Sequence, residues 1–251
     1  MNYVLKIIEE MNCNTKPTNI IDIVLPCYNP PAEWEKRVVE NYIKLHELFN
    51  NYKFNFFIVT DGSTKGYSKE IIDYLNANVD SLKIIDYKNN MGKGYALRTA
   101  VKECNSNFIL YIDHDFPYTW ESIKNVFCAL ENGADVVVAV RDESYQKALP
   151  RVRKILSYSS HLLNKIVLRL KITDTQGGMK GFNKKGREIF LTTTINSFLF
   201  DTQFIYKATH KRGTNVVAIQ ARIKEGLKMS VMGIKVLRRE FFNIFVILSN
   251  R

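Results

Sequence analysis

Two aspartates one residue apart, Asp113-His114-Asp115, follow the apolar run Phe108-Ile-Leu-Tyr-Ile112. Residues i and i+2 leaving a strand project to the same side, so both carboxylates can face one hard divalent cation that neutralises a diphosphate. Without a positive charge between them the pair would repel. The plainer alternative is that Asp113 caps the next helix. Asp61-Gly62-Ser63-Thr64 offers a carboxylate to a base or ribose, or else only a turn capped by Asp61. Gly92-Lys93-Gly94 lets backbone approach a ligand and adds a cation. It lacks the Gly-x4-Gly-Lys-Ser/Thr pattern, which excludes a P-loop ATPase. Pro26-Cys27-Tyr28-Asn29 is the fourth such cluster.

Hydrophobic periodicity shows what must position these groups. Apolar runs at 20–25, 54–60, 82–87, 108–112 and 136–140 predict five strands. Helical-period segments near 33–50, 67–78, 93–104 and 119–132 lie between them, and such spacing requires crossover helices and a mostly parallel sheet. Each cluster then falls just after a strand, at the carboxyl edge where open α/β sheets bind ligands. Beyond residue 140 the pattern gives a basic helix over 151–170, a Gly-containing segment at 173–182, a helix at 201–211 and a strand at 215–220. No Pro/Gly/Ser-rich linker divides the 251 residues, so one α/β domain is expected, with an N-terminal helical extension over 1–18.

The four clusters, in this order, resemble glycosyltransferase family 2, here as PCYN, TDGST, NNMGKGYAL and DHD. The resemblance implies the GT-A fold, with a mostly parallel central sheet flanked by helices. It also implies a UDP- or GDP-hexose donor held by Pro26, Tyr28, Asn29, Asp61, Gly92, Lys93, Asp113 and Asp115, with Mg²⁺ or Mn²⁺ at Asp113 and Asp115. Asp174-Thr-Gln-Gly-Gly-Met-Lys-Gly-Phe182 and Phe200-Asp201 resemble segments of the polyprenyl-phosphate (dolichyl-phosphate) glucose and mannose synthases. Those segments imply acceptor binding by Asp174, Gln176, Gly178 and Lys180, and catalytic roles for Asp201, Arg141 and Asp115. The expected reaction is inverting hexosyl transfer to a polyprenyl phosphate; the alternative acceptor is a sugar hydroxyl of a lipid-linked or surface glycan. Departures occur at Pro30, Pro117, Gln203 and Gln220. The first and third replace a Glu, the second stands where the mannose type has a Gln, and the last alters an E-V-P-V strand.

Arg141 follows the run 136–140 and suits a diphosphate through its bidentate guanidinium, or else pairs with Asp142 or Glu143. A net charge of +11 favours an anionic partner, and because the basic residues are spread along the chain, nucleic acid is not expected. Residues 225–251 mix clustered cations with Met, Phe and Ile, which suits a helix in an anionic membrane interface and equally a core helix. The longest uncharged C-terminal stretch has ten residues, where a bilayer span needs about 20. MNYVLKIIEE places glutamates where a secretion signal is apolar, so a cytoplasmic chain, peripheral on a membrane's inner face, is expected. Cys13, Cys27, Cys104 and Cys128 lack CxxC spacing and read as free thiols. A nucleotidyltransferase would carry a G-x-G-T/S-R signature near the first strand, and none is present.

Overall fold

The computed structural model describes residues 19–142, 145, 149–224 and 243–249. The extension 1–18 and most of the C-terminal segment lie outside them. Seven strands form one sheet in the order β3-β2-β1-β4-β6-β5-β7. They are β1 Asn19–Cys27, β2 Tyr52–Asp61, β3 Leu82–Tyr87, β4 Phe108–Tyr111, β5 Val136–Arg141, β6 Lys180–Asn183 and β7 Val216–Ala221. The β1–β2, β1–β4, β2–β3 and β5–β7 pairs are parallel; β6 runs antiparallel to both of its neighbours. The helices among the described residues include α1 Trp34–Leu48, α2 Lys69–Asn78, α3 Lys93–Glu103, α4 Trp120–Glu131, α5 Arg151–Ile166, α6 Lys184–Leu191 and α7 Phe200–His210, with a short helix at 243–249.

Strand alternation sends β1 into two cores. Ile21, Ile23 and Leu25 join Val38, Tyr42 and Leu45 of α1 and Ile123, Val126 and Phe127 of α4 on one face. Val24 turns to the other face, where α3 supplies Ala96, Leu97, Ala100 and Val101 and α7 supplies Phe200, Phe204 and Ile205. Burial on both faces is why the parallel strands read as near-continuous apolar runs.

Asp22 is a charged exception within β1, 1% exposed. Its carboxylate accepts from the backbone N–H groups of Asn105 and Ser106, both at 2.9 Å, from Ser106 Oγ at 2.6 Å and from Asn55 Nδ2 at 2.8 Å. It thereby pins the turn that feeds β4, the strand leading to Asp113. Truncation would leave these donors without an acceptor, so Asp22→Ala should lower stability by about 2–4 kcal/mol in a urea titration.

Strand β6 and helix α6 were not predicted from sequence. Lys-Gly-Phe-Asn has one large apolar residue in four, and it reads as loop. It becomes a strand because the sheet leaves a slot between β4 and β5. A Cβ on Gly181 would stand 2.5 Å from Val126 Cγ1 of α4, so glycine is what lets the helix lie directly on this strand. The cysteines also depart in part from the expected free thiols: Cys27 and Cys104 are free and buried, whereas Cys128 is disulfide-bonded.

Candidate active site

The strand exits converge as expected, but Asp113-His114-Asp115 is not extended. Strand β4 ends at Tyr111, and the N–H of Phe116 donates to Asp113 O at 2.9 Å with Phe116 left-handed at φ 46°. A tight turn, rather than strand alternation, sets the direction of the two carboxylates. His114 meets the Trp34 ring edge-on at 5.9 Å, and burial lowers its pKa against the pull of Asp115 and Asp113. It is a neutral spacer.

Asp113 Oδ1 accepts from Lys93 Nζ at 2.5 Å. A Cβ on Gly178 would collide with Asp113 Oδ2, so this glycine makes room for the carboxylate. Asp115 is half-buried and carries no hydrogen bond among the described residues. Those residues contain no group of three or more His, Cys, Asp or Glu side chains able to hold a metal. Two carboxylates of one turn nevertheless suit a hard cation that takes its remaining oxygen ligands from a diphosphate and water. Lys93 meanwhile acts as counter-charge to Asp113. Burial disfavours its ammonium, but Asp113, Asp201 and Asp115 outweigh that and raise its pKa, so it stays charged.

Lys93 is placed by Asp61. That carboxylate, 4% exposed, accepts from Tyr87 OH at 2.9 Å, Asn90 Nδ2 at 3.0 Å, Met91 N at 2.7 Å and Gly92 N at 2.9 Å. A carboxylate has about four acceptor positions, and here protein donors fill them. Through these bonds Asp61, expected from sequence to meet a base or ribose, holds the loop ahead of α3. On the far side of that loop, Gly92 adopts φ 98°, and a Cβ there would stand 2.5 Å from Asn196 O. Gly94 N donates to the same carbonyl at 2.8 Å.

A second cluster lies beneath. Asp201, 4% exposed at the start of α7, accepts on Oδ1 from both Tyr111 OH and Lys180 Nζ. Lys180 has no exposed surface and also donates to Gly177 O at 2.5 Å. Burial lowers its pKa, with Asp201 opposing. Lys180 was expected among the acceptor-binding residues; here it is an internal partner of Asp201. Gln203, standing where the resembling synthases have Glu, is wholly buried and accepts from Thr194 N at 2.8 Å and Ile195 N at 3.0 Å. Its Nε2 donates to Thr194 Oγ1 at 3.0 Å, a bond that a carboxylate would have no proton to make.

Arg141 closes the opposite side, pairing with Asp174 rather than with Asp142; Glu143 lies outside the described residues. Its Nε lies 3.0 Å from Oδ2 and its Nη2 2.5 Å from Oδ1, while Nη1 donates to Tyr145 OH at 2.9 Å. Asp174, expected to bind acceptor, is 3% exposed and serves as this guanidinium's counter-ion. Burial opposes both charges, yet each holds the other: the pKa of Arg141 is raised and that of Asp174 lowered. The sign follows from the depressed Asp174. Its contribution to stability is complete above the ordinary carboxylate range and is lost as pH falls through the lowered folded-state value. Arg141→Gln should therefore destabilise by about 3–5 kcal/mol near neutral pH by stranding a buried carboxylate. In melts taken at successively lower pH, the gap from the parent should begin to narrow above the ordinary carboxylate range, where the stranded carboxylate takes up a proton, and go on narrowing down through the lowered value of the parent.

Of the remaining expected residues, Tyr28 is 54% exposed at the exit of β1. Asn29, left-handed at φ 45°, accepts through Oδ1 from Thr64 N at 2.8 Å and Lys65 N at 3.1 Å and so joins the β1 and β2 exits. Pro26 lies within β1, and Gln176 is half-buried with no side-chain hydrogen bond among the described residues. The side chains of Arg151 and Arg153 lie outside the described set. The residues missed from sequence are Tyr111 and Tyr87. Each lies in an apolar run, and only its hydroxyl partner reveals a role.

The sheet order, the antiparallel β6 and the carboxylate turn at the exit of β4 define a GT-A fold, and solved structures agree. Mannosyl-3-phosphoglycerate synthase from Rubrobacter xylanophilus superposes with a TM-score of 0.67 at 16% identity, over 93% of this chain and 74% of that one. Glucosyl-3-phosphoglycerate synthase from Mycobacterium tuberculosis, in complex with Mn²⁺, UDP and phosphoglyceric acid, gives 0.64 at 15% identity, over 92% and 77%. The chain belongs to glycosyl transferase family 2, whose pattern matches residues 22–190, and it is a glycosyltransferase. A dolichyl-phosphate beta-glucosyltransferase of Trichomonas vaginalis is 24% identical over 233 residues, covering 87% of this chain and 70% of that protein. The enzyme of the same name from Saccharomyces cerevisiae is 24% identical over 212 residues, covering 76% and 63%.

Proposed function

We propose that this glycosyltransferase moves a hexose, with inversion, from a UDP- or GDP-sugar to a polyprenyl phosphate at the cytoplasmic face of a membrane. The observation that carries this reading is the placing of Lys93, Asp113, Asp115 and Asp201 together at the carboxyl edge of the sheet. The relatives named dolichyl-phosphate beta-glucosyltransferase support the acceptor class.

Asp113 and Asp115 are the residues that would hold Mg²⁺ or Mn²⁺. Such a cation, when bound, supplies charge stabilisation to a departing nucleoside diphosphate. Tyr28 offers an exposed ring to the base, and Asn29 fixes the loop beside it. Lys93, held by the Asp61 clamp, brings a permanent cation to the diphosphate, the preorganised electrostatics on which transfer chemistry depends. Arg141 brings a second, with Asp174 as the partner it leaves or shares. A polyprenyl phosphate is already an anionic nucleophile and needs no general base; Asp201, bonded to Lys180 and Tyr111, then orients groups rather than accepting a proton.

Membrane contact is supported by α5, where Tyr158, Leu162 and Ile166, four residues apart, are 70%, 44% and 64% exposed. No helix among the described residues is long and apolar enough to cross a membrane. The described C-terminal piece is mixed: in the helix 243–249, Ile247 is 1% exposed and in the core, while Phe245 is 57% exposed.

The test is transfer from labelled UDP-glucose, UDP-galactose, GDP-mannose and GDP-glucose to a vesicle-borne polyprenyl phosphate, with Mn²⁺, with Mg²⁺ and with EDTA. Metal-dependent formation of a polyprenyl-phosphate hexose is expected. Transfer to glycan hydroxyls alone would replace this reading with the alternative acceptor.

A further inference from the structure

Helix α7 leaves the site at Asp201 and, at 1.5 Å per residue, carries its last turn about 15 Å away. A cavity of about 540 Å³ opens there. Its floor is apolar, formed by Leu168, Ile189 and Tyr206, none more than 5% exposed. Its rim is cationic: Arg169, Lys207, His210 and Lys211 line it, and no Asp or Glu does. Lys207, His210 and Lys211 stand at the C-terminal end of α7, where the helix dipole favours cations. Arg169 comes from a different segment and owes nothing to that dipole.

The placing of Arg169 is specific. It is left-handed at φ 53°, a conformation that a side chain with a Cβ rarely adopts. Leu168 and Leu170 on either side are 1% and 3% exposed. The bond from Leu170 N to Asn164 O, 2.9 Å, holds the turn, so both leucines enter the core while the arginine between them reaches the rim. Lys207 Nζ is held on Thr192 O at 3.1 Å. None of Arg169, Lys207 and Lys211 joins an ion pair among the described residues.

We propose that this cavity binds a phosphate ester, at a site separate from the strand-exit site. Three permanent cations around one opening, with no carboxylate to neutralise them, match a phosphate's charge and its three acceptor oxygens. The apolar floor, with the Tyr206 and His210 rings 4.1 Å apart at its edge, takes the organic part of the ester. The ester has two possible sources, a soluble metabolite or a lipid headgroup.

Two arms distinguish them, run on the full chain, on Arg169→Gln/Lys207→Gln/Lys211→Gln, and on a charge-matched control, Lys53→Gln/Lys69→Gln/Lys124→Gln. One arm titrates glycerol 3-phosphate and AMP by calorimetry; the other sediments the proteins with phosphatidylcholine vesicles with and without phosphatidic acid. The rim variant should lose about tenfold or more in affinity in at least one arm, with the control unchanged and all three melting alike. A loss confined to the first arm assigns a soluble ester, and one confined to the second a headgroup. Rim variant and control behaving alike, or no binding of either probe by the parent chain, would overturn the proposal.

Discussion

Asp113→Asn should abolish metal-dependent binding of a nucleoside diphosphate and lower transfer by about 10³-fold, the scale at which a preorganised charge acts on a transition state. The carboxylate sits in a gap that only Gly178 leaves open, and it shares its charge with Lys93. The amide keeps the size and loses the charge. Folding should change little, because Asp201 and Asp115 still face the Lys93 ammonium. Asp115→Asn should lose metal-dependent binding in the same way without disturbing any hydrogen bond of the described residues. Calorimetry with UDP and GDP in Mn²⁺ checks both, and undiminished binding in the two variants would remove the carboxylate turn from the mechanism. Gly178→Ala is the steric counterpart: its Cβ pushes the unchanged Asp113 carboxylate aside, so binding should fall with all charges kept.

Asp201→Asn should act strongly on stability, for a reason outside catalysis. It leaves the wholly buried Lys180 ammonium without its carboxylate, which should cost about 3–5 kcal/mol. Adding Lys180→Met removes the stranded charge, so the double variant should melt close to the parent, and that recovery makes its activity interpretable. If the acceptor is a polyprenyl phosphate, transfer by the double variant should stay within about tenfold of the parent, since no proton must be removed. A hydroxyl acceptor would need a base, and its reaction should fall by about 10²–10⁴-fold even with stability restored. Initial rates for the two acceptor classes, read beside urea titrations of all three proteins, separate the outcomes.

The five N-terminal strands and the helices between them were legible because burial on two sheet faces writes apolar runs into β1, β2 and β5, and crossover helices write the 3.6-residue period between them. Cluster positions at the strand exits followed from the same pattern. Strand β6 was not legible, since its pairing comes from a slot between β4 and β5 and its Gly181 answers to the approach of α4.

The sequence by itself determined which ionisable groups arrive at the carboxyl edge, because strand positions and crossover lengths follow from local periodicity. Partnership among them was decided only by tertiary structure. Asp61 is filled by donors from Tyr87 and residues 90–92, Lys180 is sealed against Asp201, and Arg141 is locked onto Asp174. These pairs join residues 21 to 33 positions apart, at separations where no local pattern couples one side chain to another. Desolvation is what enforces them: a charge that water would leave indifferent to its neighbours must, once buried, take the one counter-charge or donor within reach.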